Sequence, residues 1–379
     1  MSVTIDRIEV ACFRVPIDTP VVTSFGVMTS RPAVLVRLQD AEGAFGWGEI
    51  FANWPAAGAE HRARLLVEDM ADLVLGRSVV GPAELGRYLT AATRIRAIQC
   101  GEPGPFAQVV AGLDTALHDL FARRAGLPLA HYLNADAPGD VPVYASGIAA
   151  CAAPEAVARA QTEGFRAFKI KVGFDIEDDV RALRSVLAEI GDGMPLMADA
   201  NQAWTVAQAC SFCDATADLG LGWLEEPLPA DAATEDWTAL RKSTKIPLAA
   251  GENISGSNGF ATAIASGDLA VLQPDVAKWG GVAGCARVGR RAMDAGLRYC
   301  PHFLGAGIGL LASAHLLAAM GGDGLLEVDV NPNPLRDAFD GTRVDGRGRL
   351  VLSDAPGLGV RDLPEEIARF RTLRLDVSR

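Results

Sequence analysis

FKIKVG, at residues 168–173, is the stretch that decides the fold, because it is one member of a series. Short apolar runs alternate with helical stretches through the second part of the chain, and each run is a candidate strand: VPVYAS (141–146), FKIKVG (168–173), PLMADAN (195–201), LGWLEEP (221–227), IPLAAGE (246–252), LAVLQPD (269–275), LRYCPHF (297–303) and LLEVD (325–329). Alternating strands and helices form a parallel sheet, and eight such units close into a barrel. The sequence therefore predicts an α/β fold with a (β/α)8 (TIM-like) barrel.

The part of the chain before this series has a different pattern. It predicts an α+β module, with strands at 5–15, 33–38 and 45–49 and helices at 59–75, 83–98 and 106–124. The segments 16–32 and 50–59 show no clear period, and we predict that they are loops that cover the substrate. We divide the chain into an N-terminal capping domain (1–130), the catalytic barrel (131–349) and a C-terminal segment (350–379) that returns to the capping domain.

Composition restricts the possible partners. With 49% hydrophobic and 22% charged residues, the 379-residue chain is typical of a folded soluble protein. Its net charge of −12, without any basic run, argues against nucleic acid, because a phosphate backbone requires clustered cations. The N-terminus lacks the layout of a signal peptide and no 18 apolar residues run together, so we expect a cytoplasmic protein with no membrane contact. The seven cysteines are scattered and lack zinc spacing.

Polar side chains occupy the ends of the strand-like runs from the second run onward. They are Lys169 and Lys171, Asp199, Glu225, Glu252, Asp275, His302 and Glu327. Because the C-terminal ends of parallel barrel strands converge on one face, these side chains should share one pocket. Asp199, Glu225 and Glu252 would form an oxygen-only site, which favours Mg²⁺. A single acid could equally be a helix N-cap or a solvated residue, but three at successive strand ends favour the metal.

Lys169 and Lys171 lie two residues apart on one predicted strand, so their side chains point to the same face. If Phe168 and Ile170 face the helices, both lysines point into the barrel. Burial of two ammonium groups is costly unless anions lie beside them. The neighbouring cation and Mg²⁺ should lower the proton affinity of Lys171, which would make it a base near neutral pH. The alternative is a pair of solvated lysines at an edge.

Asp275 and His302 end neighbouring runs. A carboxylate on one imidazole nitrogen fixes the tautomer and supports the imidazolium that forms when the other nitrogen takes a proton. We therefore predict that His302 is a second acid/base group. Glu327, if protonated, could donate a hydrogen bond to charge that develops on a substrate carboxylate.

These residues lie in motifs that occur in order at barrel spacing. The motifs are K169-I-K171-V-G, D199-A-N201-Q, E225-E-P, G-E252-N, Q-P-D275 with K278-W-G-G, P-H302-F and L-E327-V. Over nearly the whole chain the sequence resembles the mandelate racemase subgroup of the enolase superfamily, the mandelate racemase/muconate lactonizing enzyme family. The resemblance implies one Mg²⁺ per subunit, bound by Asp199, Glu225 and Glu252, and opposed acid/base groups at Lys171 and at His302 with Asp275.

The resemblance also implies roles for other residues. Lys169, Ser146 and Glu327 would contact the substrate carboxylate, with Asn201 and Lys278 as supporting residues. The partner would be a small carboxylate substrate, and the protein would form a homo-oligomer, which in that family is commonly an octamer.

The implied reaction is abstraction of the proton α to a carboxylate through a metal-stabilised enediolate. Dehydration of an acid sugar to a 2-keto-3-deoxy product is the commoner outcome in that subgroup, and D199-A-N-Q-A-W is a form associated with dehydratases. Racemisation or epimerisation of a 2-hydroxy acid is the alternative. The cap segments offer apolar and polar candidates for substrate binding, including Phe25, Asn53 and Trp54, and Asp329 would suit substrate hydroxyl groups.

Two further hypotheses have sequence signatures of their own. A barrel that only binds a carboxylate ligand would have lost Lys171 or His302, and both are present. A cycloisomerase of the muconate type usually has a lysine in place of the His302 arrangement.

Overall fold

The structure is a computed structural model that describes residues 2–191 and 193–379. Its N-terminal part is an antiparallel sheet with helices. The strands are β1 (Val3–Thr23), β2 (Gly26–Asp40), β3 (Phe45–Ile50) and β4 (Ser78–Val79). The helices are α1 (Gly58–Arg64), which continues through a π-helical segment (Leu65–Met70) into α2 (Ala71–Val74), then α3 (Pro82–Gln99) and α4 (Pro103–Arg124). These elements confirm the predicted α+β cap.

The sheet of the cap lies directly on α4. A Cβ atom added to Gly48 would lie 2.0 Å from the carbonyl oxygen of Gly112, and one added to Gly46 would lie 2.1 Å from that of Ala116. Only a residue without a side chain permits so close an approach of strand and helix backbones. The two glycines of β3 therefore fix how the cap packs.

The segment 16–32 is not the loop that we predicted. β1 and β2 continue through it as a long hairpin arm, with Val21 opposite Met28 and Thr23 opposite Gly26. The strand alternation is weak there because the arm extends beyond the core of the cap, and the Phe25 side chain at its tip is 55% exposed. The segment 51–57, by contrast, is irregular and connects β3 to α1.

The second part of the chain contains the eight predicted barrel strands. They are β5 (Asp140–Ala149), β6 (Phe168–Lys171), β7 (Leu196–Asp199), β8 (Leu224–Glu225), β9 (Leu248–Ala250), β10 (Val271–Leu272), β11 (Arg298–Tyr299) and β12 (Leu326–Asp329). Parallel ladders join them in the order β11-β10-β9-β8-β7-β6-β5-β12. Between β11 and β12, the Leu325 N–H donates to Cys300 Sγ at 3.4 Å. One curled parallel sheet thus forms the barrel.

Helices surround this sheet. They are α5 (Leu129–Leu133), α6 (Ala153–Thr162), α7 (Ile176–Glu189), α8 (Val206–Ala215), α9 (Thr234–Ser243), α10 (Gly256–Ser266), α11 (Gly281–Asp294), α12 (Gly307–Met320) and α13 (Pro334–Asp337), with a 3₁₀ turn at Ala150–Ala152. Phe168 and Ile170 pack in the core between sheet and helices. Tyr144, Met197 and Trp223 belong to a separate apolar cluster that fills the barrel interior. None of the helices in the described ranges has the length and apolarity needed to cross a bilayer.

Buried carboxylates join the cap to the barrel. Glu49 accepts hydrogen bonds from the Ala306 N–H (2.6 Å) and the Gly309 N–H (2.8 Å) at the start of α12. Asp114 accepts one from the Ala283 N–H (2.9 Å) at the start of α11. Free N–H groups and the positive end of the helix dipole favour a carboxylate at such positions.

The chain ends by returning to the cap. After β13 (Arg349–Val351), which pairs with β5, a 3₁₀ helix (Glu365–Phe370) leads into β14 (Arg371–Ser378). β14 pairs antiparallel with β1 along the outer edge of the cap sheet. The C-terminal segment therefore completes the capping domain, as predicted.

Candidate active site

The two lysines of β6 have different surroundings although they share one face. Lys169 is fully buried, and its Nζ lies 2.6 Å from Glu225 Oε1, 2.8 Å from Glu327 Oε1 and 3.3 Å from Asp199 Oδ2. Burial lowers the pKa of Lys169, but the attraction of Glu225 and Glu327 outweighs it and keeps the ammonium group charged. Lys169 is therefore a fixed positive charge inside the barrel.

Lys171 lies two residues nearer the mouth of the barrel and borders a cavity of about 410 Å³. Its Nζ donates to Asp199 Oδ2 at 2.6 Å. Burial lowers the pKa of Lys171, whereas the charge of Asp199 raises it, and the net direction is upward. The protein's own charges thus oppose the lowered proton affinity that we predicted, because carboxylates outnumber ammonium groups around this lysine.

The three predicted metal ligands lie at neighbouring strand ends, where Asp199 and Glu225 are buried and the Glu252 side chain is 11% exposed. Asp199 and Glu225 are partners in the ladder between β7 and β8, and Glu252 follows β9. Burial raises the pKa of Glu225 to about 7. Asp199 and Glu252 have lowered pKa values, because burial is outweighed by the lysines beside Asp199 and by His302 and Lys278 beside Glu252.

The three acids offer the oxygen ligands that a hard cation prefers, but their side chains do not converge on one point. Among the residues that the structure describes, no three carboxylate, imidazole or thiol groups converge as a set of metal ligands. Ammonium groups contact the carboxylate oxygens instead, with Lys278 Nζ at 2.7 Å from Glu252 Oε2 in addition to the two lysines of β6. An oxygen-only donor set whose negative charge is balanced by ammonium ions is chemically suited to Mg²⁺.

His302 and Asp275 form the predicted pair. His302 Nδ1 lies 2.7 Å from Asp275 Oδ2, which fixes the ring, and its Nε2 lies 3.1 Å from Glu252 Oε2. Asp275 is itself held by the Ala277 N–H at 2.7 Å. Burial lowers the pKa of His302, but the charges of Glu252 and Glu327 and the hydrogen bond to Asp275 raise it to about 9. The imidazole is consequently held in its charged form, with Nε2 beside Glu252, which lines the cavity.

Glu327 is surrounded by positive charge. A hydrogen bond from Glu327 to a substrate carboxylate requires its protonated form, whereas the attraction of Lys169 and His302 outweighs burial and lowers its pKa. Its Oε1 accepts a hydrogen bond from Ser146 Oγ at 2.6 Å, and its Oε2 accepts one from the Phe303 N–H at 3.2 Å. In this structure Glu327 acts as a buried anion that holds Lys169 and Ser146.

Strained backbone supports the strand ends. Asn201, Gln202 and Glu226 have positive φ angles of 45°, 66° and 39°, which non-glycine residues rarely adopt. The Asn201 N–H donates to Asp199 Oδ1 at 2.9 Å, and the Gln202 N–H donates to the Glu226 carbonyl at 2.7 Å. These turns hold the side chains of neighbouring strands in register at the mouth of the barrel.

Sequence analysis missed three polar residues of this network. Gln273 Nε2 donates to Glu225 Oε2 at 2.6 Å. Asn253 Nδ2 donates to both carboxylate oxygens of Glu226, at 3.1 and 2.9 Å, and its Oδ1 accepts from Lys278 Nζ at 3.0 Å. The available signal for Glu226, Asn253 and Gln273 was their place inside the motifs E-E-P, G-E-N and Q-P-D, which also contain Glu225, Glu252 and Asp275.

The cap supplies the other wall of the cavity. The rings of Phe25 and Trp54 meet edge to face with centroids 5.9 Å apart, and Asn53 Nδ2 donates to the Leu304 carbonyl at 2.7 Å. Asp329 is less available to substrate hydroxyl groups than we predicted, since its Oδ2 pairs with Arg31 at 2.7 Å. Its Oδ1 accepts from the backbone and side chain of Asn331.

The structure divides the predicted site residues into two sets. Those that line the cavity are Phe25, Asn53, Trp54, Lys171, Asn201, Glu252, Lys278, His302 and Asp329. Those that are buried in the barrel around it are Ser146, Lys169, Asp199, Glu225, Asp275 and Glu327. Both sets meet at the C-terminal ends of the strands, where barrel enzymes carry out their chemistry.

Comparison with curated proteins identifies relatives of the whole chain. The chain is 29% identical to D-galactarolactone cycloisomerase of Agrobacterium fabrum (strain C58 / ATCC 33970) over 94% of this chain and 95% of that protein. It is 28% identical to L-talarate/galactarate dehydratase of Salmonella typhimurium (strain LT2) over 99% of this chain and 93% of that protein. The relatives thus include both cycloisomerases and dehydratases.

Solved structures of related proteins resemble this chain over nearly its whole length. A mandelate racemase/muconate lactonizing enzyme from Bordetella bronchiseptica RB50 is 48% identical, with a TM-score of 0.92 over 97% of this chain and 99% of that one. A racemase from Streptomyces coelicolor A3(2) with bound magnesium is 26% identical, with a TM-score of 0.86 over 97% of this chain and 100% of that one.

Family models match both parts of the chain. The model of the mandelate racemase / muconate lactonizing enzyme N-terminal domain matches residues 7–133, and that of the enolase C-terminal domain-like family matches residues 152–366. These matches cover the cap and the barrel that carry the site. The chain belongs to the mandelate racemase/muconate lactonizing enzyme family of the enolase superfamily.

Proposed function

We propose that this protein removes the proton α to the carboxylate of an acid sugar and expels the β-hydroxyl, which yields a 2-keto-3-deoxy acid. One observation carries the proposal. Lys171, on β6, and His302, in the loop after β11, border the same cavity. Around the ring of strands, β5 and β12 lie between β6 and β11 on one side, and β7 to β10 lie between them on the other side. Two proton-transfer groups therefore approach a bound substrate from different directions.

The residues of this chain divide the work of such a reaction. Lys171, in its neutral form, accepts the α-proton, and the electron pair of the broken C–H bond forms a C=C bond as the β-hydroxyl leaves. His302, held charged by Asp275, gives its Nε2 proton to that hydroxyl, so water departs. The resulting enol takes a proton at the β-carbon and loses the proton of its 2-hydroxyl group, which gives the 2-keto acid. Lys169 places a fixed positive charge near the substrate carboxylate.

A divalent cation belongs to this proposal. Asp199, Glu225 and Glu252 would hold Mg²⁺, which would supply positive charge to the substrate carboxylate as negative charge develops on it. Binding would require Lys171 and Lys278 to release the carboxylate oxygens that they now contact. Nearby cations would also favour the neutral form of Lys171, which its function as a base requires.

A cycloisomerase is the second candidate, favoured by the similarity to D-galactarolactone cycloisomerase over 94% of this chain. The first step is shared, since a lactone ring oxygen on the β-carbon can leave in the same way as a hydroxyl group. Racemisation requires only that His302 return a proton to the opposite face of the α-carbon. The three outcomes therefore differ in what leaves, not in which residues act.

A substrate screen tests the proposal. Mono- and diacid sugars, their lactones and 2-hydroxy acids are incubated with the protein and Mg²⁺, while 2-keto acid formation and α-proton exchange in D₂O are followed. We expect 2-keto acid from at least one acid sugar. Formation of 2-keto acid from a lactone but from no open-chain acid would select the cycloisomerase, and exchange or inversion alone would select the racemase. The absence of both 2-keto acid and α-proton exchange with every compound would refute the proposal.

We also propose that the protein is a homo-oligomer. Large apolar side chains on one helix of the cap support this, since Ile95 and Ile98 of α3 are 66% and 57% exposed. Light scattering on the purified protein measures the mass directly, and an octamer would have eight times the mass of the chain. A monomer would refute this expectation.

A further inference from the structure

Arg31 is a buried arginine in the wall of the catalytic cavity that the proposed reaction does not use. It lies on β2 of the cap, is only 5% exposed and lines the same cavity as Lys171 and His302. Its Nη2 donates to Asp329 Oδ2 at 2.7 Å, and its Nη1 faces Met28 Sδ at 3.9 Å. Its Nε is buried and has no hydrogen-bond partner in the part of the chain that the structure describes.

A buried guanidinium group with unused donors is unfavourable unless a ligand satisfies them. Transfer of a charged group out of water costs several kcal/mol unless hydrogen bonds and counter-charge offset it. A single neutral contact to sulfur at Nη1 is weak compensation. The protein's own groups therefore satisfy the donors of Arg31 only in part.

The carboxylate beside Arg31 has other partners as well. Asp329 Oδ1 accepts from the backbone and side chain of Asn331, and Asp329 Oδ2 lies 3.9 Å from Arg336 Nη1. Asp329 therefore engages Arg31 through one oxygen only, and the other donors of the guanidinium group remain for a ligand.

We propose that Arg31 binds a second carboxylate at the far end of the substrate, so that the protein prefers diacid sugars to the corresponding monoacids. The cavity of about 410 Å³ is within the range that binds small molecules. A planar guanidinium group matches the geometry of a carboxylate, and it would give a protein of net charge −12 the local cation that a dianionic substrate needs. This inference rests on the proposed function for the reacting end of the substrate.

The test compares matched pairs of substrates in matched variants. Four- to six-carbon aldaric diacids are paired with the aldonic monoacids that carry a CH₂OH group in place of the second carboxylate. Arg31→Met removes the charge at similar volume, and Arg31→Lys keeps the charge but loses the planar fork. Arg14→Met is the control, because Arg14 also joins a cap strand to an acid, Glu60 at 3.0 Å.

We expect the ratio of kcat/KM for diacid over monoacid to fall by about 10- to 100-fold in Arg31→Met, which is the range for a charge-assisted hydrogen bond. Arg31→Lys should retain part of the ratio, and Arg14→Met should retain all of it. If Arg31→Met lowers kcat/KM equally for diacid and monoacid, the Arg31–Asp329 pair only joins the cap to the barrel and the proposal is wrong. A wild-type protein without diacid preference would overturn it as well.

A second variant covers the case in which Arg31→Met does not fold. Arg31→Met combined with Asp329→Asn removes both charges and leaves no buried carboxylate deprived of its partner, and the same loss of ratio is expected. Calorimetric binding of both acids to the His302→Asn protein separates the two proposals. Tighter binding of diacids that depends on Arg31, without turnover of any compound by the wild type, would refute the proposed function and keep the diacid site.

Discussion

The two walls of the catalytic cavity are built in different ways. The barrel wall consists of charged side chains at strand ends that are buried and paired with one another, such as Lys169 between Glu225 and Glu327. The cap wall is a hairpin arm and an irregular segment, with Phe25 more than half exposed. The barrel wall is therefore suited to proton transfer in a fixed geometry, and the cap wall is suited to the choice of substrate.

This difference has consequences for substitutions. Residues of the barrel wall touch several charged neighbours, so a change there alters the protonation and position of the whole group. Residues of the cap wall make few such contacts, so a change there should alter binding and leave chemistry intact.

Loss of the metal should remove turnover altogether. Glu252→Gln removes one negative charge from the proposed Mg²⁺ site, and exhaustive chelation removes the cation itself. Both should abolish 2-keto acid formation while the circular dichroism spectrum stays that of the wild type, and added Mg²⁺ should restore only the chelated wild type. Glu189→Gln, an exposed change on α7, is the control. Full turnover after chelation would contradict the metal assignment.

Asp275→Asn should lower kcat by about 10²- to 10⁴-fold, the usual contribution of a positioned acid/base group. Asp275 Oδ2 accepts from His302 Nδ1 at 2.7 Å, and an amide there supports the imidazolium less well. Because the carboxylate raises the pKa of His302, the variant should also lose its acid form at lower pH. A steady-state pH profile measures both effects, and an unchanged profile would show that His302 acts without Asp275.

Trp54→Ala should act on binding rather than on chemistry. Trp54 lines the cavity and packs edge to face on Phe25 at 5.9 Å, so its loss removes covering surface. We expect KM to rise about tenfold, with kcat and the thermal midpoint nearly unchanged. Trp54→Phe should retain most of the binding. A Trp54→Ala protein that unfolds, or that loses kcat alone, would assign the residue to the core or to catalysis.

Glu49 tests how the two walls are joined. Burial raises its pKa from 4.5 to about 7, although the Ala306 and Gly309 N–H groups stabilise its charged form. A raised folded-state pKa means that the contribution of this group to stability is full below about pH 4.5 and is lost as pH rises through about 7. The free energy of unfolding of the wild type relative to Glu49→Gln should therefore fall by about 1–3 kcal/mol between pH 5 and pH 8.

Urea titrations at the two pH values measure this difference. The contributions of titrating groups elsewhere cancel, because both proteins share them. A difference that stays constant or rises with pH would show that Glu49 is ionised throughout, and that the two N–H donors of α12 outweigh its burial.

Sequence alone predicted the residues of the barrel wall well, because their positions follow from the regular repeat of the βα units. Strand ends recur once per βα unit, and side chains two apart on a strand share a face, so the period alone groups Lys171, Asp199 and His302 in one pocket. Charge states do not follow from this spacing. Sequence alone left the protonation of Glu327 open, because its charge depends on Lys169 and His302, which come from other parts of the barrel.

The cap wall was harder to predict for a different reason. The arm at 16–32 is a pair of strands whose side chains face the barrel mouth and solvent rather than a core, so the alternation that marks a strand is missing. Sequence alone did not single out Arg31. The role of Arg31 in the cavity wall depends on its pairing with Asp329, which lies 298 residues away in sequence and comes beside Arg31 only when the cap packs on the barrel.

The central claim is that Lys171 and His302 are both proton-transfer groups that reach one bound substrate from different sides. The most direct test is α-proton exchange followed by NMR in D₂O, for Lys171→Ala and His302→Asn, with substrates of both configurations at C2. We predict that His302→Asn stops net turnover but keeps Lys171-dependent exchange for one configuration, and that Lys171→Ala shows the opposite preference. If both variants lose exchange to the same extent with every substrate, only one group transfers the proton and the claim is contradicted.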